Sequence, residues 1–341
     1  MYSSQKTNLT AYSIVEIVLV LVLLTQTWCF PINSSEEIYA KISARQHHKE
    51  RRSVSSPAQG PPPECYMKYF LHHSPPQGLL VDHPSSERFI CQSIPDSPDT
   101  DFFATLFDDE AGIAILSAYT VTYNQTQYMN DCPRQTVSNS WRTNKALSRQ
   151  GTNKMYSGKG FDKGHLDPAH INSFNKDHVL ATFTYSNAVP QYRFFNRGPW
   201  KRFEDKIVDY VTTQCAAQHG RSAVMYLLTG TSKFRVQVGS NKPTQDKEAI
   251  EIHYFPSADV EDRIVRPNSM WTAGCCVWND ESETQRAQSI AVMGNNDFDR
   301  ERVGMRSMNL AELEKLLVDK NSEPVCLFPS VKECRSNSHL L

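Results

Sequence analysis

The sequence lacks several features that would each assign it to a class of protein. Its 36 Lys and Arg residues nearly balance 37 Asp and Glu residues, which argues against static binding of a polyanion over the whole surface. It has no Cys-x-x-Cys pair, the spacing typical of structural zinc sites. It also has no zinc finger, aromatic RNP sequence or internal repeat. Its function must therefore be sought in local motifs.

No apolar run reaches the about 20 residues that a membrane-spanning helix needs. A run from Ile14 to Leu24, interrupted by Glu16, follows Lys6, which is typical of a secretory signal peptide. We assign residues 1–30 to this signal peptide, without a defined cleavage site. We expect a secreted, extracellular protein with no stable membrane association. A signal anchor that starts at Ala11 is the alternative.

Residues 31–63 are polar and rich in Pro and Ser. Such a composition cannot bury a core, so we predict a flexible leader there. One domain at residues 64–335 and a tail at residues 336–341 are expected to follow. Arg51-Arg52 is interpreted either as a processing site or as part of a solvated charge run.

The cysteines support the same compartment. Nine are present, and one of them, Cys29, lies in the predicted signal peptide. The even number that remains predicts disulfide bonds in a secreted chain, although eight cysteines allow 105 pairings. A bond between the adjacent Cys275 and Cys276 would form a strained ring, so each is expected to have a separate partner. Glycosylation sequons at Asn33 and Asn124 fit a secreted protein.

Apolar and β-branched runs predict strands at four places. Residues 102–106 and 113–121 are expected to form a hairpin, and residues 224–228 and 289–293 are expected to be buried strands. Asn309 with Glu312 predicts a cap at the start of a helix. Because strands and helices do not alternate strictly, the pattern favours an α+β fold over a doubly wound sheet.

The stretch from Gly160 to Asp205 concentrates the groups that phosphodiester hydrolysis needs. Near its start, Asp162-Lys163-Gly164-His165 offers a carboxylate, a cation and an imidazole. An imidazole pKa near ~6.5 makes His165 a candidate general base. Gly164 can adopt backbone conformations closed to other residues, so we expect a tight bend from which the imidazole projects.

A second polar group lies on a predicted helix. Asn196 offers a carboxamide oxygen, a hard neutral ligand suited to Mg²⁺. Pro199 is predicted to be the first residue of the helix. The apolar stripe of this helix consists of Trp200, Phe203, Ile207, Val211 and Cys215. If the helix extends back to Asn196, Glu204 projects from roughly the same side and can hold a metal-bound water.

The same stretch is locally basic. The stretch from Lys154 to Lys206 contains nine Lys and Arg residues but only five Asp and Glu residues. A basic site in a neutral protein suits a polyanion that is bound briefly and cleaved. The candidate phosphate contacts are Lys154, Lys159, Arg193, Arg197, Lys201 and Arg202.

Together these motifs resemble the DNA/RNA non-specific endonuclease family, whose active site is of the ββα-metal type. The family pattern is Asp-Arg-Gly-His, Asn-x-x-Pro-Gln and Asn-x-Gly-x-Trp, with Glu four residues after the Trp. The matching stretches here are 162–165, 187–191 and 196–200, with Glu204. The resemblance spans residues 65–317. Stretches 88–92, 103–108 and 116–119 are most similar to the group of endonuclease domain-containing 1 proteins.

The resemblance implies a ββα-metal endonuclease core with a central, mainly antiparallel sheet flanked by helices. It implies a Mg²⁺-dependent endonuclease, with Mn²⁺ as the alternative ion. Such an enzyme would contact DNA and RNA through the phosphate backbone and leave 5′-phosphate ends.

The resemblance also implies residue roles. The implied catalytic residues are His165, Lys163, Asn187 and Glu204, and the implied metal ligand is Asn196. Of the six candidate phosphate contacts above, we assign Arg193, Arg197 and Lys201 as substrate contacts. His165 would be the general base, and Asn187 and Glu204 would support the metal ligand. Lys163 stands where the family usually has Arg. Lys keeps the charge but loses the planar fork that grips a phosphate bidentately.

Two other functions remain open at this point. The Lys163 departure is compatible with a catalytically silent secreted protein that keeps the fold and binds nucleic acid or another partner. His165, His170 and His178 are alternatively interpreted as a zinc site, although their spacing lacks a second ligand cluster.

Overall fold

The structure is a computed structural model that describes residues 56–57, 61–79, 84–137, 141–246, 251–319 and 322–341. The predicted signal peptide and most of the predicted leader lie outside these residues. Within them, no helix combines the length and the apolar character that crossing a membrane requires.

An antiparallel sheet forms the centre of the fold. Its strands are β1 Ser56–Pro57, β2 Glu87–Gln92, β3 Phe103–Asp108, β4 Ile113–Thr122, β7 Val224–Ser232, β12 Ser269–Asn279, β13 Gln285–Asn295 and β14 Arg306–Met308. They are hydrogen-bonded in the order β1-β2-β3-β4-β7-β12-β13-β14, and every neighbouring pair is antiparallel. The predicted hairpin is confirmed as β3 and β4, and the two predicted buried strands as β7 and β13.

The remaining strands form small two-stranded sheets. They are β5 Phe161–His165 with β6 Ala188–Tyr192, β8 Arg235–Val236 with β9 Gln245–Asp246, and β10 His253–Phe255 with β11 Ile264–Arg266. The α-helices are α1 Glu64–Met67, α2 Tyr123–Thr126, α3 Asn153–Tyr156, α4 Lys176–Ala181, α5 Arg193–Phe195, α6 Lys201–Tyr210, α7 Ala217–His219, α8 Leu310–Leu317 and α9 Lys332–Ser336. Short 3₁₀ turns lie at Leu71–His73, Pro84–Ser86, Arg134–Thr136, Tyr185–Asn187 and Gly220–Ser222.

Helices α5, α6 and α7 form one helical run, because the π-helical segments Asn196–Trp200 and Val211–Ala216 connect them. The run begins at Arg193, so the prediction that Pro199 is its first residue is wrong. Proline inside a helix lacks an N–H donor and clashes with the carbonyl four residues before it. The wider π turn around Pro199 is a local distortion of the kind that accommodates such a residue. Asn196 and Glu204 therefore lie on the same helical run.

Both faces of the central sheet are covered. On one face, Trp271 and Ala273 belong to a buried cluster with Leu313 of α8. On the other face, Leu227 and Val292 pack with residues of the long helical run. The predicted cap of α8 is confirmed. The Glu312 N–H donates to Asn309 Oδ1 at 2.8 Å, and the Asn309 N–H donates to the Glu312 carboxylate at 3.0 Å.

Disulfide bonds fasten both layers of helices to the sheet. Cys275 is bonded to Cys334 of α9, whereas Cys276 is bonded to Cys215 of the long helical run. Successive residues of a strand point to opposite faces, which is why these neighbours have separate partners, as predicted. The third described bond, Cys65–Cys91, joins α1 to β2. Cys326 is also disulfide-bonded, and Cys132 is a free cysteine.

Candidate active site

The candidate site is built on a ββα unit made by β5, β6 and the long helical run. Strands β5 and β6 are antiparallel, with His165 opposite Ala188 and Phe161 opposite Tyr192. The helix follows directly after β6 at Arg193. This unit carries the residues of the predicted motifs, except for Asn187, which lies in the turn directly before β6.

Gly164 lies inside β5, so the predicted tight bend at this residue is wrong. A Cβ atom added at Gly164 would lie 2.0 Å from Gln191 Oε1, far inside van der Waals contact. The glycine is required because the Gln191 side chain of the neighbouring strand lies directly against the backbone. His165 therefore projects from the end of a strand and not from a turn.

His165 is buried and its Nε2 atom has no hydrogen-bond partner among the described residues. The Trp141 ring lies 4.8 Å from the imidazole, and the Phe183 ring lies 5.1 Å from it, edge-on. Burial lowers the pKa of His165 to about 3, and the charges of Arg134 and Lys163 act in the same direction. The imidazole is therefore neutral near pH 7, with a nitrogen available to accept a proton.

Lys163 shares the face of β5 with His165, because alternate residues of a strand point the same way. Its Nζ atom donates to Asn153 Oδ1 at 2.8 Å. The rings of Trp141 and Tyr185 lie 5.3 and 5.8 Å from the ammonium group. Burial, together with the charge of Arg134, lowers the pKa of Lys163. The cation is thus held in a partly aromatic pocket next to the imidazole.

Arg134 is a residue of the site that the sequence did not single out. Its charge acts on the pKa of His165, Lys163 and Glu204, and its guanidinium lies 5.3 Å from the Phe183 ring. It belongs to a 3₁₀ turn well before the motifs in the chain. A single arginine in an irregular segment carries no sequence signal that could have identified it.

Asp162 connects the hairpin to the helix. Its Oδ2 atom accepts a hydrogen bond from Asn196 Nδ2 at 2.9 Å. The Arg197 guanidinium donates to both carboxylate oxygens, at 2.8 and 2.7 Å. Burial pushes the pKa of Asp162 upward, but the hydrogen bonds from Arg197 and Asn196 outweigh it and keep the pKa below its usual value. The ionised Asp162 therefore fixes which way the Asn196 carboxamide points.

Asn187 is fully buried and its carboxamide is saturated with hydrogen bonds. Its Oδ1 atom accepts from Ser117 Oγ at 2.9 Å and from the Asp167 N–H at 2.8 Å. Its Nδ2 atom donates to the carbonyls of Asp167 and Thr182, at 3.0 and 3.1 Å. Asn187 thus ties the chain after β5 to the turn before β6 and to the central sheet.

Glu204 is partly buried on α6. Burial raises its pKa to about 7, and the charge of Asp205 acts in the same direction, against the effects of Trp200, Lys201 and Arg134. Glu204 therefore changes charge close to neutral pH.

The donor set fits a hard divalent cation. With Nδ2 held by Asp162, Asn196 Oδ1 remains as a neutral oxygen ligand, and it accepts no hydrogen bond within the described part of the chain. The only group of three clustered His, Cys, Asp or Glu ligands among the described residues is Cys65, Cys91 and Asp101. Its two cysteines form a disulfide and offer no thiolate. One amide oxygen, with the Glu204 carboxylate further along the same helical run, suits Mg²⁺, which keeps several waters.

The three predicted substrate contacts are all engaged in ion pairs. Arg197 pairs with Asp162, and Arg193 Nε lies 3.7 Å from the same carboxylate. Lys201 Nζ lies 2.5 Å from a carboxylate oxygen of Asp205 one helical turn away. All three cations are exposed on the helix next to Asn196.

The histidines of the zinc interpretation are separated in the structure. His178 packs against the rings of Phe102 and Phe174. His170 Nε2 lies 3.1 Å from Asn130 Oδ1, on the protein surface. His165, His170 and His178 form no ligand cluster within the residues described here, so the observed contacts do not support a zinc site.

Comparison with known proteins gives concordant matches. The model of the DNA/RNA non-specific endonuclease family matches residues 92–316. Endonuclease domain-containing 1 protein of Homo sapiens is 25% identical over 236 residues, which cover 62% of this chain and 39% of that protein. The mitochondrial nuclease EXOG of Xenopus laevis is 34% identical over 98 residues, 25% of this chain and 27% of that protein. The matches thus span less than half of these relatives' own lengths.

A solved structure shows the same fold. A chain from the crystal structure of the EndoG/EndoGI complex superposes with a TM-score of 0.52 at 14% sequence identity. The superposition covers 80% of this chain and 95% of that one. The predicted α+β fold, with a central, mainly antiparallel sheet flanked by helices and a ββα core, is confirmed.

Proposed function

Because the chain belongs to the DNA/RNA non-specific endonuclease family, we propose that it is a secreted, Mg²⁺-dependent endonuclease that hydrolyses phosphodiester bonds of DNA and RNA. One observation carries this proposal. A buried, neutral His165 with an unpaired Nε2 atom lies on the same ββα unit as an Asn196 carboxamide oriented by Asp162.

His165 acts as the general base. Its Nε2 atom accepts a proton from the attacking water, a step that typically contributes about 10²–10⁴-fold to the rate. Burial is the main cause of the pKa of about 3, and the charges of Arg134 and Lys163 lower the pKa further. A phosphate bound to Lys163 and Arg134 offsets the part that is due to their charge, so substrate binding raises the basicity of His165.

Lys163 and Arg134 stabilise the negative charge that develops on the phosphate. Lys163 shares the face of β5 with His165, and Arg134 lies over the Phe183 ring that also contacts the imidazole, so a phosphate at the imidazole lies close to both cations. The aromatic rings around Lys163 shield the half-buried ammonium group partly from water, and charges interact more strongly where water is excluded.

Asn196 Oδ1 and Glu204 would hold the metal ion and its waters, with Mn²⁺ as an alternative to Mg²⁺. When bound, a divalent cation supplies Lewis-acid stabilisation of phosphate oxygens. Asp162 orients Asn196, and Asn187 holds the backbone on which His165 and the hairpin depend. Supporting residues of this kind tune metal sites from the second layer.

The substrate is recognised through its phosphates. Arg193, Arg197 and Lys201 lie exposed beside Asn196. The ion pairs of Arg193 with Asp162 and of Lys201 with Asp205 can exchange for contacts with the nucleic acid backbone, whereas Arg197 stays bonded to Asp162 and contributes its positive charge. Phosphate contacts position a nucleic acid without reading its sequence, which agrees with cleavage of both DNA and RNA.

Secretion is supported by the disulfide bonds. Three are described, and two of them join helices to opposite faces of the central sheet. Disulfides persist in oxidising compartments and are rare in the cytosol. Mass mapping of protein secreted from cells should recover these pairs, and eight free thiols would refute the extracellular assignment.

Incubation of the purified protein with supercoiled plasmid and with single-stranded RNA tests the proposed activity. Both should be cut in Mg²⁺ or Mn²⁺, and chelator should stop the reaction. The Asn196→Ala variant should lose metal-dependent cleavage, whereas Asn241→Ala, at an exposed position outside the ββα unit, should keep it. Absence of cleavage under every metal and pH would reject the endonuclease and favour the silent binding protein.

A further inference from the structure

Three aromatic side chains form a continuous strip beside the candidate active site. The Phe161 and Tyr192 rings lie 4.3 Å apart across the β5–β6 hairpin. The Phe298 ring lies 5.4 Å from Tyr192, edge to face. Phe298 is 61% exposed although its ring packs against Tyr192. Phe161, Tyr192 and Phe298 are called the aromatic strip below.

The exposed end of the aromatic strip is held rigidly to the hairpin. Asn296, two residues before Phe298, is buried and accepts a hydrogen bond from the Tyr192 N–H at 3.0 Å. Its Nδ2 atom donates to the carbonyls of Pro190 and Pro267, at 2.8 and 3.0 Å. Phe298 is therefore presented to solvent from a fixed loop. A preorganised exposed ring loses little conformational entropy when it binds a partner.

Arginines flank the aromatic strip. The Arg266 guanidinium lies 5.0 Å from the Tyr192 ring and donates to the Tyr192 hydroxyl. The Arg302 guanidinium lies 4.9 Å from the Phe298 ring and also pairs with Asp297 and Asp299. These carboxylates compensate part of the positive charge. Phe161 and Tyr192 are half-buried and the Arg266 guanidinium lies over both rings, so the exposed Phe298 ring is the main stacking face of the strip.

The aromatic strip continues the face of the hairpin that carries the candidate catalytic groups. Phe161, Lys163 and His165 alternate along β5 and share that face, and Tyr192 is the cross-strand partner of Phe161. Four residues of strand place Phe161 roughly 13 Å from His165. On the other side, Arg193 follows Tyr192 and approaches Asp162. A nucleic acid with one phosphate at His165 would therefore present nearby nucleotides to the strip.

We propose that the aromatic strip is a base-stacking subsite that binds a single-stranded segment of DNA or RNA next to the phosphate being cleaved. This inference rests on the proposed function and adds a preference for unpaired bases. Bases of a single strand can splay out and stack on exposed aromatic rings. Bases of a duplex already stack on each other and do not present their faces.

Fluorescence anisotropy with a labelled single-stranded deoxyoligonucleotide and with its blunt duplex, both in chelator, tests the subsite without cleavage. Loss of one base–aromatic stack should make Phe298→Ala bind the single strand roughly 5- to 150-fold more weakly. Duplex affinity should stay unchanged, and Phe298→Trp should restore single-strand affinity. The salt dependence of single-strand binding should be the same in Phe298→Ala and wild type, because no charge is removed.

Leu340→Ala is the matched control, because Leu340 is 62% exposed and lies in the C-terminal tail. It should bind both oligonucleotides like wild type. Unchanged single-strand affinity in Phe298→Ala, or an equal loss for single strand and duplex, would overturn the subsite. Plasmid cleavage by the wild-type protein in Mg²⁺, measured in parallel, separates this result from failure of the proposed function. If the wild-type protein cuts plasmid and Phe298→Ala binds the single strand with wild-type affinity, the subsite is rejected but the proposed function is not.

Discussion

The Asp162 carboxylate accepts a hydrogen bond from the Asn196 carboxamide nitrogen at 2.9 Å. The pair joins the first strand of the ββα unit to its helix and leaves the Asn196 oxygen as the donor atom for a cation. Arg197 binds the same carboxylate through two hydrogen bonds, which keeps Asp162 ionised. In the sequence, Asp162 is only a carboxylate close to His165. In the structure, it positions the Asn196 carboxamide.

Asp162→Ala should weaken Mg²⁺ binding, because the Asn196 carboxamide loses the partner that orients it. Removal of such a supporting residue typically costs about 10–100-fold in metal affinity. Calorimetric titration of the purified variant with Mg²⁺ measures this loss. Asp280→Ala is the control, since Asp280 also pairs with an arginine but lies on a distant turn, and it should titrate like wild type. Equal Mg²⁺ affinity in Asp162→Ala and wild type would show that Asp162 does not position the ligand.

Glu204 should make Mg²⁺ binding depend on pH near neutrality. Its pKa in the folded protein is raised to about 7, so it is protonated below that pH and negatively charged above it. Only the carboxylate favours a cation, so affinity should rise roughly tenfold from pH 6 to pH 8. His165 and His178, with pKa values lowered to about 3 and about 4, do not titrate in that window.

Glu204→Gln should abolish this pH dependence. At both pH 6 and pH 8, the variant should bind Mg²⁺ with the weaker affinity that the wild type shows at pH 6. Glu281→Gln, at an exposed position on a distant turn, should retain the wild-type dependence. Calorimetry at the two pH values compares the three proteins. A wild type whose Mg²⁺ affinity does not change between them would place Glu204 outside the metal site.

Lys163→Arg should raise kcat roughly 5- to 30-fold with little change in KM. A guanidinium fork forms two parallel hydrogen bonds to a phosphate, and the rings of Trp141 and Tyr185 offer faces on which it can stack. The gain should correspond to about 1–2 kcal/mol of transition-state stabilisation, on the scale of charge-assisted hydrogen bonds. Lys242→Arg, at an exposed position, should not alter steady-state kinetics. A lower kcat in Lys163→Arg, with Lys163→Ala unaffected, would show that residue 163 does not face the phosphate.

Removal of the Cys215–Cys276 bond should lower stability without unfolding the domain. The bond closes a sequence separation of 61 residues, for which the chain-entropy model gives about 4 kcal/mol. The Cys215→Ser, Cys276→Ser double variant should therefore unfold at lower denaturant concentration, with a similar slope. The Cys275–Cys334 bond spans 59 residues and its removal should have a comparable effect. Failure of both double variants to fold would mean that the bridges, and not the core, hold the structure together.

Local patterns predicted the elements whose cause is local. The β3–β4 hairpin, the Asn309 cap and the separate partners of Cys275 and Cys276 each follow from neighbouring residues. The helical stripe from Trp200 to Cys215 was also predictable, because burial at helical spacing is visible in the sequence.

Features that depend on distant segments were not predictable. Gly164 is required by the Gln191 side chain of the neighbouring strand, and its own neighbours give no sign of this. Pro199 lies inside a helix because the π turn around it tolerates a residue that usually marks a helix start. Arg134 and Trp141 reach the site from an irregular segment, so only the folded chain brings them to His165.

The assignment of His165 as general base is tested by the single-turnover rate of plasmid nicking in Mg²⁺ by His165→Ala, with and without added imidazole. The variant should be slower than wild type by about 10²–10⁴-fold, and free imidazole should restore part of the rate, because removal of the His165 side chain leaves space for an external base next to Trp141. Circular dichroism should show an unchanged fold. A variant that nicks plasmid at nearly the wild-type rate without imidazole would contradict the assignment.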